Sequence, residues 1–315
     1  MTLGGDEDTY VLKGEDYIEG GCHAVEPEDG DITSSIVTEG EVDTSKPGDY
    51  TVTYTASSSQ GYVAKKQRTV HVVESMDEQE TGIPVLMYHY IYTASDVPEM
   101  TDDNRGNYLL DTDFEEQLQY LTENDFYYPS YEEVRAFIEG KHTLPKNSIV
   151  LTFDDGESGF LKYGIPMLEK YKVPATSFII CSDEDAEDDI ITYASEYVSF
   201  QSHSYDMHQD GLSWGYRGIM GHMGDDEIYN DLVKAQKVLG TSDAFAYPYG
   251  YYTDQGKAAA ERAGISCSFI IFNDWARIGD NPQALPRVRV SGDTSIEGFK
   301  WACTNTIQDR GVPAA

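Results

Sequence analysis

Two short stretches carry the residues best suited to chemistry. Leu151-Thr-Phe-Asp-Asp-Gly-Glu157 sets two adjacent carboxylates, Asp154 and Asp155, behind the β-branched and apolar run Ser148–Phe153, with Gly156 to turn the chain. That run reads as a buried strand, so both carboxylates fall at its C-terminal end. His203-Ser-Tyr-Asp-Met-His208 sets two imidazoles at a second strand-to-loop transition, after Tyr197–Gln201. One carboxylate with two histidines makes a three-ligand site for a divalent metal with open positions, the arrangement of a catalytic rather than a closed structural centre. The spare carboxylate is then the candidate base for an attacking water. Taken singly, Asp-Asp-Gly is a solvated turn and the histidines are surface or core residues. Their convergence at strand ends of one domain favours the metal reading.

The elements that must position these groups begin at Ile83. Ile83–Tyr88 reads as a buried strand, and 113–121 spaces Phe114, Leu118 and Leu121 on one helical face, with Thr112 or Asp113 as cap. A short helix is expected over 131–139, a strand over 149–154, a helix over 159–171 and a strand over 175–180. Helices follow at 225–239, 253–263 and 295–306, with strands at 244–247 and 266–272. Repeated βα units imply a parallel sheet with helices outside, an α/β fold closed into a barrel whose chemistry sits at the C-terminal strand ends.

Residues 1–8 read as a disordered or linker start, and 9–73 as an all-β module. Tyr50–Thr55 and Gln67–Val73 alternate at period two like half-buried antiparallel strands. Turn chemistry at Glu28–Asp31, Lys46–Gly48 and Ser57–Gly61 separates the runs, which suggests a small β-sandwich. Residues 74–82 are polar, acidic and aperiodic, the expected linker, and 83–315 form the second domain. His23 and His71 in the module read as structural or surface histidines.

A length of 315 residues suits two domains, and 40% hydrophobic content is ample for their cores. The net charge of −34 argues against binding nucleic acid or an anionic membrane, and suits a neutral or cationic polymer. Cys22, Cys181, Cys267 and Cys303 are scattered without a CxxC pair, so one or two disulfides and buried free thiols both stay open. No stretch approaches the roughly 20 apolar residues of a membrane span. The polar, acidic start, Met1–Asp8, has no signal-peptide character and reads as a mature or trimmed beginning.

The motifs together resemble a known family. Thr152-Phe-Asp-Asp-Gly156, the His203 and His208 pair and Tyr247-Pro-Tyr-Gly250 are similar to the motifs of polysaccharide deacetylases of NodB homology, carbohydrate esterase family 4. Pro84–His89, Phe114–Leu118 and Leu285-Pro-Arg287 extend the likeness over the second domain. The module before it resembles the immunoglobulin-like modules of bacterial surface proteins, through Glu28–Thr33, Val42–Thr44 and Pro47–Tyr54. The resemblance implies a distorted (β/α) barrel and hydrolytic, metal-dependent N-deacetylation of a polysaccharide containing N-acetylglucosamine, with release of acetate. It also implies an extracellular or cell-surface location.

Departures from the family pattern are informative. Four residues, Ser204 to Met207, separate the two histidines where the family usually has three. Five steps of about 100° would place the rings roughly 140° apart around a helix, so the segment must be a loop. No histidine follows His222, and no arginine opens the third motif. Extracellular poly-N-acetylglucosamine deacetylases share the longer spacing and carry Tyr-His at the first barrel strand, where Tyr88-His89 stands here. By this resemblance Asp155, His203 and His208 hold the metal, expected to be Zn²⁺. Asp154 is the base and His89 the acid, Tyr249 offers its backbone N–H to the oxyanion, and Arg287 replaces the missing arginine. Asp274-Trp275 only superficially resembles the fourth motif, and His142 and His222 read as bystanders. Tyr205, Tyr249, Tyr251, Tyr252 and Trp214 could stack on sugars. Alternatives are an O-acetyl esterase on a xylan-type polysaccharide and a catalytically impaired carbohydrate-binding surface protein.

Overall fold

Strands Val85–Tyr88, Val150–Phe153, Ala175–Ile179, Ala244–Ala246 and Cys267–Phe269 are buried at every position. Such strands need cover on both faces, which a parallel sheet flanked by helices provides. The computed structural model describes residues 1–102 and 104–305. Its main sheet runs Cys267–Phe269, Ala244–Ala246, Val198–Ser202, Ala175–Ile179, Val150–Phe153, Val85–Tyr88 and Val288–Arg289, with every pair parallel. The sheet is curled, a half-barrel rather than a closed ring. Residues 285–289 cross its seam: Leu285 bridges to Phe269 on one side, while Val288 and Arg289 pair with Leu86 and Met87 on the other. Arg287 is thereby carried to the inside and is fully buried.

The flanking helices largely follow the expected pattern. Asp111–Glu123 buries Phe114, Gln117, Leu118 and Leu121, but it starts behind Leu110 without the side-chain cap expected from Thr112 or Asp113. Asp111 and Asp113 instead favour its first turn through the helix dipole. Tyr131–Ile138 starts with a capping box between Ser130 and Glu133. Asp225–Leu239 has the expected bounds and ends on left-handed Gly240. The last helix is Ile296–Thr304, and residue 306 of the expected range lies outside the described residues. Helix Ala186–Thr192 was not expected from the sequence. None of the described helices is long and apolar enough to cross a membrane. All four cysteines are free and buried, which settles the choice between disulfides and thiols.

The N-terminal module is all-β. Asp8–Leu12, Val63–Val73, Gly48–Ser57 and Val37–Glu39 form one sheet in that order, and Gly48–Ser57 pairs antiparallel with Val63–Val73 as expected. The opening residues differ from expectation: Thr2–Leu3 pairs with Cys22–His23, and the buried Arg68 guanidinium donates to the Gly4 and Gly21 carbonyls. A buried cation needs acceptors, and these backbone oxygens supply them, so residues 1–8 are part of the module. The stretch 74–82 is likewise tied down, since Gln79 N–H donates to the Leu144 carbonyl and Glu78 bridges to Pro145.

The module docks on the N-terminal ends of the barrel strands. Thr143, Ser195, Glu196 and Asp243 each precede a sheet strand. They meet Glu15, Thr2, Lys66 and His23 respectively. The Asp6 N–H donates to the Tyr128 carbonyl at 2.8 Å, and the Tyr10 ring stands edge-on to Tyr127.

Candidate metal centre

At the opposite end, the strand Val150–Phe153 delivers Asp154 and then turns sharply. Asp155 has φ 75° and Gly156 has φ 65°. Left-handed backbone costs a non-glycine residue about 1 kcal/mol. A side chain at position 156 would also drive its Cβ to within 2.7 Å of Ile179 Cγ1, so glycine is required there. The turn sends the two neighbouring carboxylates to different partners.

Asp154 faces Arg287. Nη1 and Nη2 donate to Oδ1 and Oδ2 at 2.6 and 2.7 Å, a bidentate pair buried on both sides. Arg287 is itself fixed, with Nη1 donating to Thr152 Oγ1 and Nε to the Ile270 carbonyl. Burial pushes the Asp154 carboxyl up, but the Arg287 charge and its hydrogen bonds outweigh this and hold it below the ordinary value of 3.8. The carboxylate is therefore kept ionised.

Asp155 faces the histidines. Its Oδ1 lies 3.4 Å from His203 Nε2 and 3.4 Å from His208 Nε2. Ligand atoms of the three residues lie within 4.8 Å of one another. Burial raises the Asp155 carboxyl, yet the hydrogen bond to His203 and the charges of the three nearby histidines take it well below 3.8. His203 Nδ1 donates to the Ala246 carbonyl at 2.8 Å, which turns Nε2 toward Asp155 and His208; in the neutral ring that bond leaves Nε2 as the nitrogen free to ligate an ion. The His208 ring lies 4.9 Å from that of His203 and 4.5 Å from that of Tyr249. Zinc bonds of about 2.0–2.1 Å set the edge of a coordination tetrahedron at roughly 3.4 Å, which both carboxylate-to-imidazole separations match. The donor set, two nitrogens and one oxygen, also suits a divalent ion.

His89 follows the strand Val85–Tyr88 and is half-buried. Burial takes its imidazole below 6.5, with Asp154 and Asp155 pulling the other way. Tyr249 sits in the turn after Ala244–Ala246 with φ 57°, beside His208. Tyr251 is half-buried against Tyr216, Tyr252 is exposed, and the Trp214 side chain lies outside the described residues. Two residues set aside in the sequence have other duties. Asp274 holds the Arg277 guanidinium at 2.7 Å, and His142 is buried at the module contact between Glu15 and Glu133.

Sequence reasoning missed Tyr90. Its hydroxyl donates to Asp155 Oδ2 at 2.9 Å, holding the oxygen turned away from the histidines so that Oδ1 faces them. The Tyr-His-Tyr run at 88–90 was its signal. With the expected strand ending at Tyr88, nothing said which side of the chain Tyr90 would face.

Comparisons with known proteins agree with this geometry. Residues 1–72 match the family model for the Ig-like domain of bacterial surface proteins, and residues 141–268 match that for polysaccharide deacetylase. The chain is 28% identical over 222 residues to the poly-beta-1,6-N-acetyl-D-glucosamine N-deacetylase of Staphylococcus aureus (strain MRSA252), covering 65% of this chain and 74% of that protein. In fold it is similar to the Streptococcus pyogenes deacetylase PplD, solved with acetate (TM-score 0.60, 23% identity, 71% of this chain and 99% of that one). It is likewise similar to IcaB from Ammonifex degensii (TM-score 0.58, 24% identity, 71% and 98%). With a curled parallel sheet, a gathered Asp-His-His set and these matches in hand, the chain is assigned a polysaccharide deacetylase domain of the NodB-homology, carbohydrate esterase family 4, preceded by an Ig-like surface module.

Proposed function

We propose that the domain hydrolyses N-acetyl groups of an N-acetylglucosamine polysaccharide, releasing acetate and leaving free amines on the polymer. The observation that carries the reading is the separation of two carboxylates by one left-handed turn: Asp154 locked to Arg287, Asp155 gathered with His203 and His208. The similarity to the staphylococcal deacetylase points to poly-β-1,6-linked N-acetylglucosamine as the substrate class, with peptidoglycan as the neighbouring choice.

Asp155, His203 and His208 would hold the ion, for which zinc suits the donor set. When bound, it supplies Lewis-acid polarisation of the acetyl carbonyl and acidifies water to a pKa of about 7. Asp154 takes one proton from the attacking water, and Arg287 keeps that carboxylate charged and aimed. Water oxygen bonds to the acetyl carbon, and the Tyr249 N–H donates to the oxygen on which charge develops. The carbon–nitrogen bond then breaks, and His89 gives a proton to the departing amine. The Ig-like module suits an extracellular or cell-surface enzyme that meets its polymer outside the cell.

Acetate release from poly-β-1,6-N-acetylglucosamine oligomers, chitin oligomers and acetylated xylan tests the reading. Turnover of the N-acetyl substrates is expected, abolished by chelation and restored by Zn²⁺. Asp154→Asn should lower kcat by about 10²–10⁴ while metal uptake persists. Preference for xylan would make the enzyme an O-acetyl esterase. Oligosaccharide binding without any acetate release in the metal-replete protein would make it a binding module.

A further inference from the structure

The loop between the two histidines is held in an unusual way. His203 follows the strand Val198–Ser202, and four residues separate it from His208, the first of them Ser204 with a left-handed φ of 79°. Backbone donors without partners are costly when buried, so it matters where the loop's N–H groups go. Ser204 N–H donates to Ser202 Oγ, and Met207 N–H donates to Ser204 Oγ. The middle two reach across to another element: Tyr205 N–H donates to Asp231 Oδ1 at 2.8 Å, and Asp206 N–H to Asp231 Oδ2 at 2.9 Å.

Asp231 stands on the Asp225–Leu239 helix. A carboxylate that accepts from two successive amides is a charge-assisted clamp, with one oxygen for each donor. The same helix makes two further contacts with the loop. Lys234 Nζ lies 3.4 Å above the Tyr205 ring, and Met207 is buried in the cluster that includes Ile228 and Leu232. On the opposite side, the Ser204 and Tyr205 carbonyls accept from Cys181 N–H and Ser182 N–H. The loop is thus clamped between a strand end and a helix. His208, which has no sheet strand of its own, takes its position from that clamp.

We infer that Asp231 is a positioning residue for the metal centre: it fixes the His203–His208 spacer so that His208 Nε2 meets His203 Nε2 and Asp155 without reorganisation on binding. This rests on the reading of that triad as a metal site. An aliphatic side chain at 231 would accept from neither amide, and asparagine would set an NH2 donor against one of them.

The test is the affinity of the metal-stripped full chain for Zn²⁺, measured by competition with a chromophoric chelator, together with the visible absorption spectrum of the Co²⁺-loaded protein. Asp231→Ala should weaken Zn²⁺ binding by about 10–100-fold and alter the Co²⁺ bands. Asp231→Asn, which keeps one acceptor, should fall between the two, at about 3–10-fold. Should Asp231→Ala fail to fold, Asp231→Asn decides by the same measurements. Affinity within twofold of wild type and an unchanged Co²⁺ spectrum, even with a lower melting temperature, would leave Asp231 a purely structural residue and overturn the inference. Failure of the wild-type chain to take up stoichiometric metal would instead overturn the metal reading, and the inference with it.

Discussion

Glu132→Gln is expected to stabilise this protein at alkaline pH and to do almost nothing at acid pH. Glu132 sits where the barrel meets the module, in a cluster with Asp243 and His23. Asp243 Oδ2 lies 2.6 Å from His23 Nε2, and Glu132 Oε1 accepts from Ser266 Oγ at 2.9 Å. Burial, followed by the Asp243 charge, pushes Glu132 up to about 7 from 4.5. A carboxyl whose folded value is raised costs stability that is absent below the unfolded value of 4.5. The cost grows as pH rises and is complete above about 7. A shift of that size corresponds to a ceiling of about 3 kcal/mol. Glu132 and Asp243 repel one another and titrate as a pair, so the part that belongs to Glu132 alone is smaller than that ceiling. Linkage then gives a wild-type cost on the order of 1–2 kcal/mol at pH 8, most of which is absent at pH 5. Glutamine keeps the acceptor for Ser266 and discards the charge. Urea unfolding of the metal-stripped proteins at both pH values reads the difference directly. At pH 8 the gain corresponds to roughly 3–6 °C in melting temperature. A variant no more stable than wild type at pH 8, or equally stabilised at both pH values, would refute the assignment of a raised, charge-repelled Glu132.

Two further substitutions probe the site itself. Arg287→Met strands the buried Asp154 carboxylate and should cost about 3–5 kcal/mol in urea unfolding at pH 7. Adding Asp154→Asn to that variant should recover much of the loss, and a double variant no more stable than the single one would show that the pair is not what holds this region. Tyr90→Phe removes one charge-assisted hydrogen bond to Asp155. By the usual worth of such a bond, about 1.5–3 kcal/mol, it should weaken Zn²⁺ binding by roughly 10–100-fold with little change in fold, checked by chelator competition and circular dichroism.

The groups whose chemistry is local were legible in the sequence, and those whose role depends on a distant partner were not. Asp154 and Asp155 could be placed at a strand end because Ser148–Phe153 is a β-branched and apolar run, and the odd spacing of His203 and His208 showed that a loop must join them. The division of labour between the two carboxylates was not written locally. It depends on Arg287, 133 positions away in sequence, arriving through the seam of the half-barrel. Asp231 was invisible for a similar reason: an acid on an amphipathic helix looks like part of the solvated face until the loop it clamps is in place. Helix Ala186–Thr192 was hidden by its own acids. Glu187, Asp188 and Asp189 mask the apolar periodicity, yet in the first turn of a helix they are favoured by its dipole, and the buried pair Ala186 and Ile190, four apart, faces the core. The first eight residues misled because their polarity suggested disorder, whereas their backbone carbonyls and amides were needed by Arg68 and Tyr128.

The two ends of the strands carry different loads, and this bears on what the module does. His89, Asp154, Asp155, His203 and Tyr249 lie just after sheet strands, while Thr143, Ser195, Glu196 and Asp243, which meet the module, all precede one. The Val198–Ser202 strand shows both at once. Glu196 before it holds Lys66, and His203 after it enters the metal cluster. The Ala244–Ala246 strand repeats the pattern, with Asp243 on His23 at one end and the Ala246 carbonyl fixing His203 Nδ1 at the other. Ala244–Ala246 is buried at every position and Val198–Ser202 at three of five, so a shift at one end of either disturbs packing at the other. The module is therefore placed to stiffen the two strands that present His203, while leaving the opposite face, where a long polymer must lie, clear.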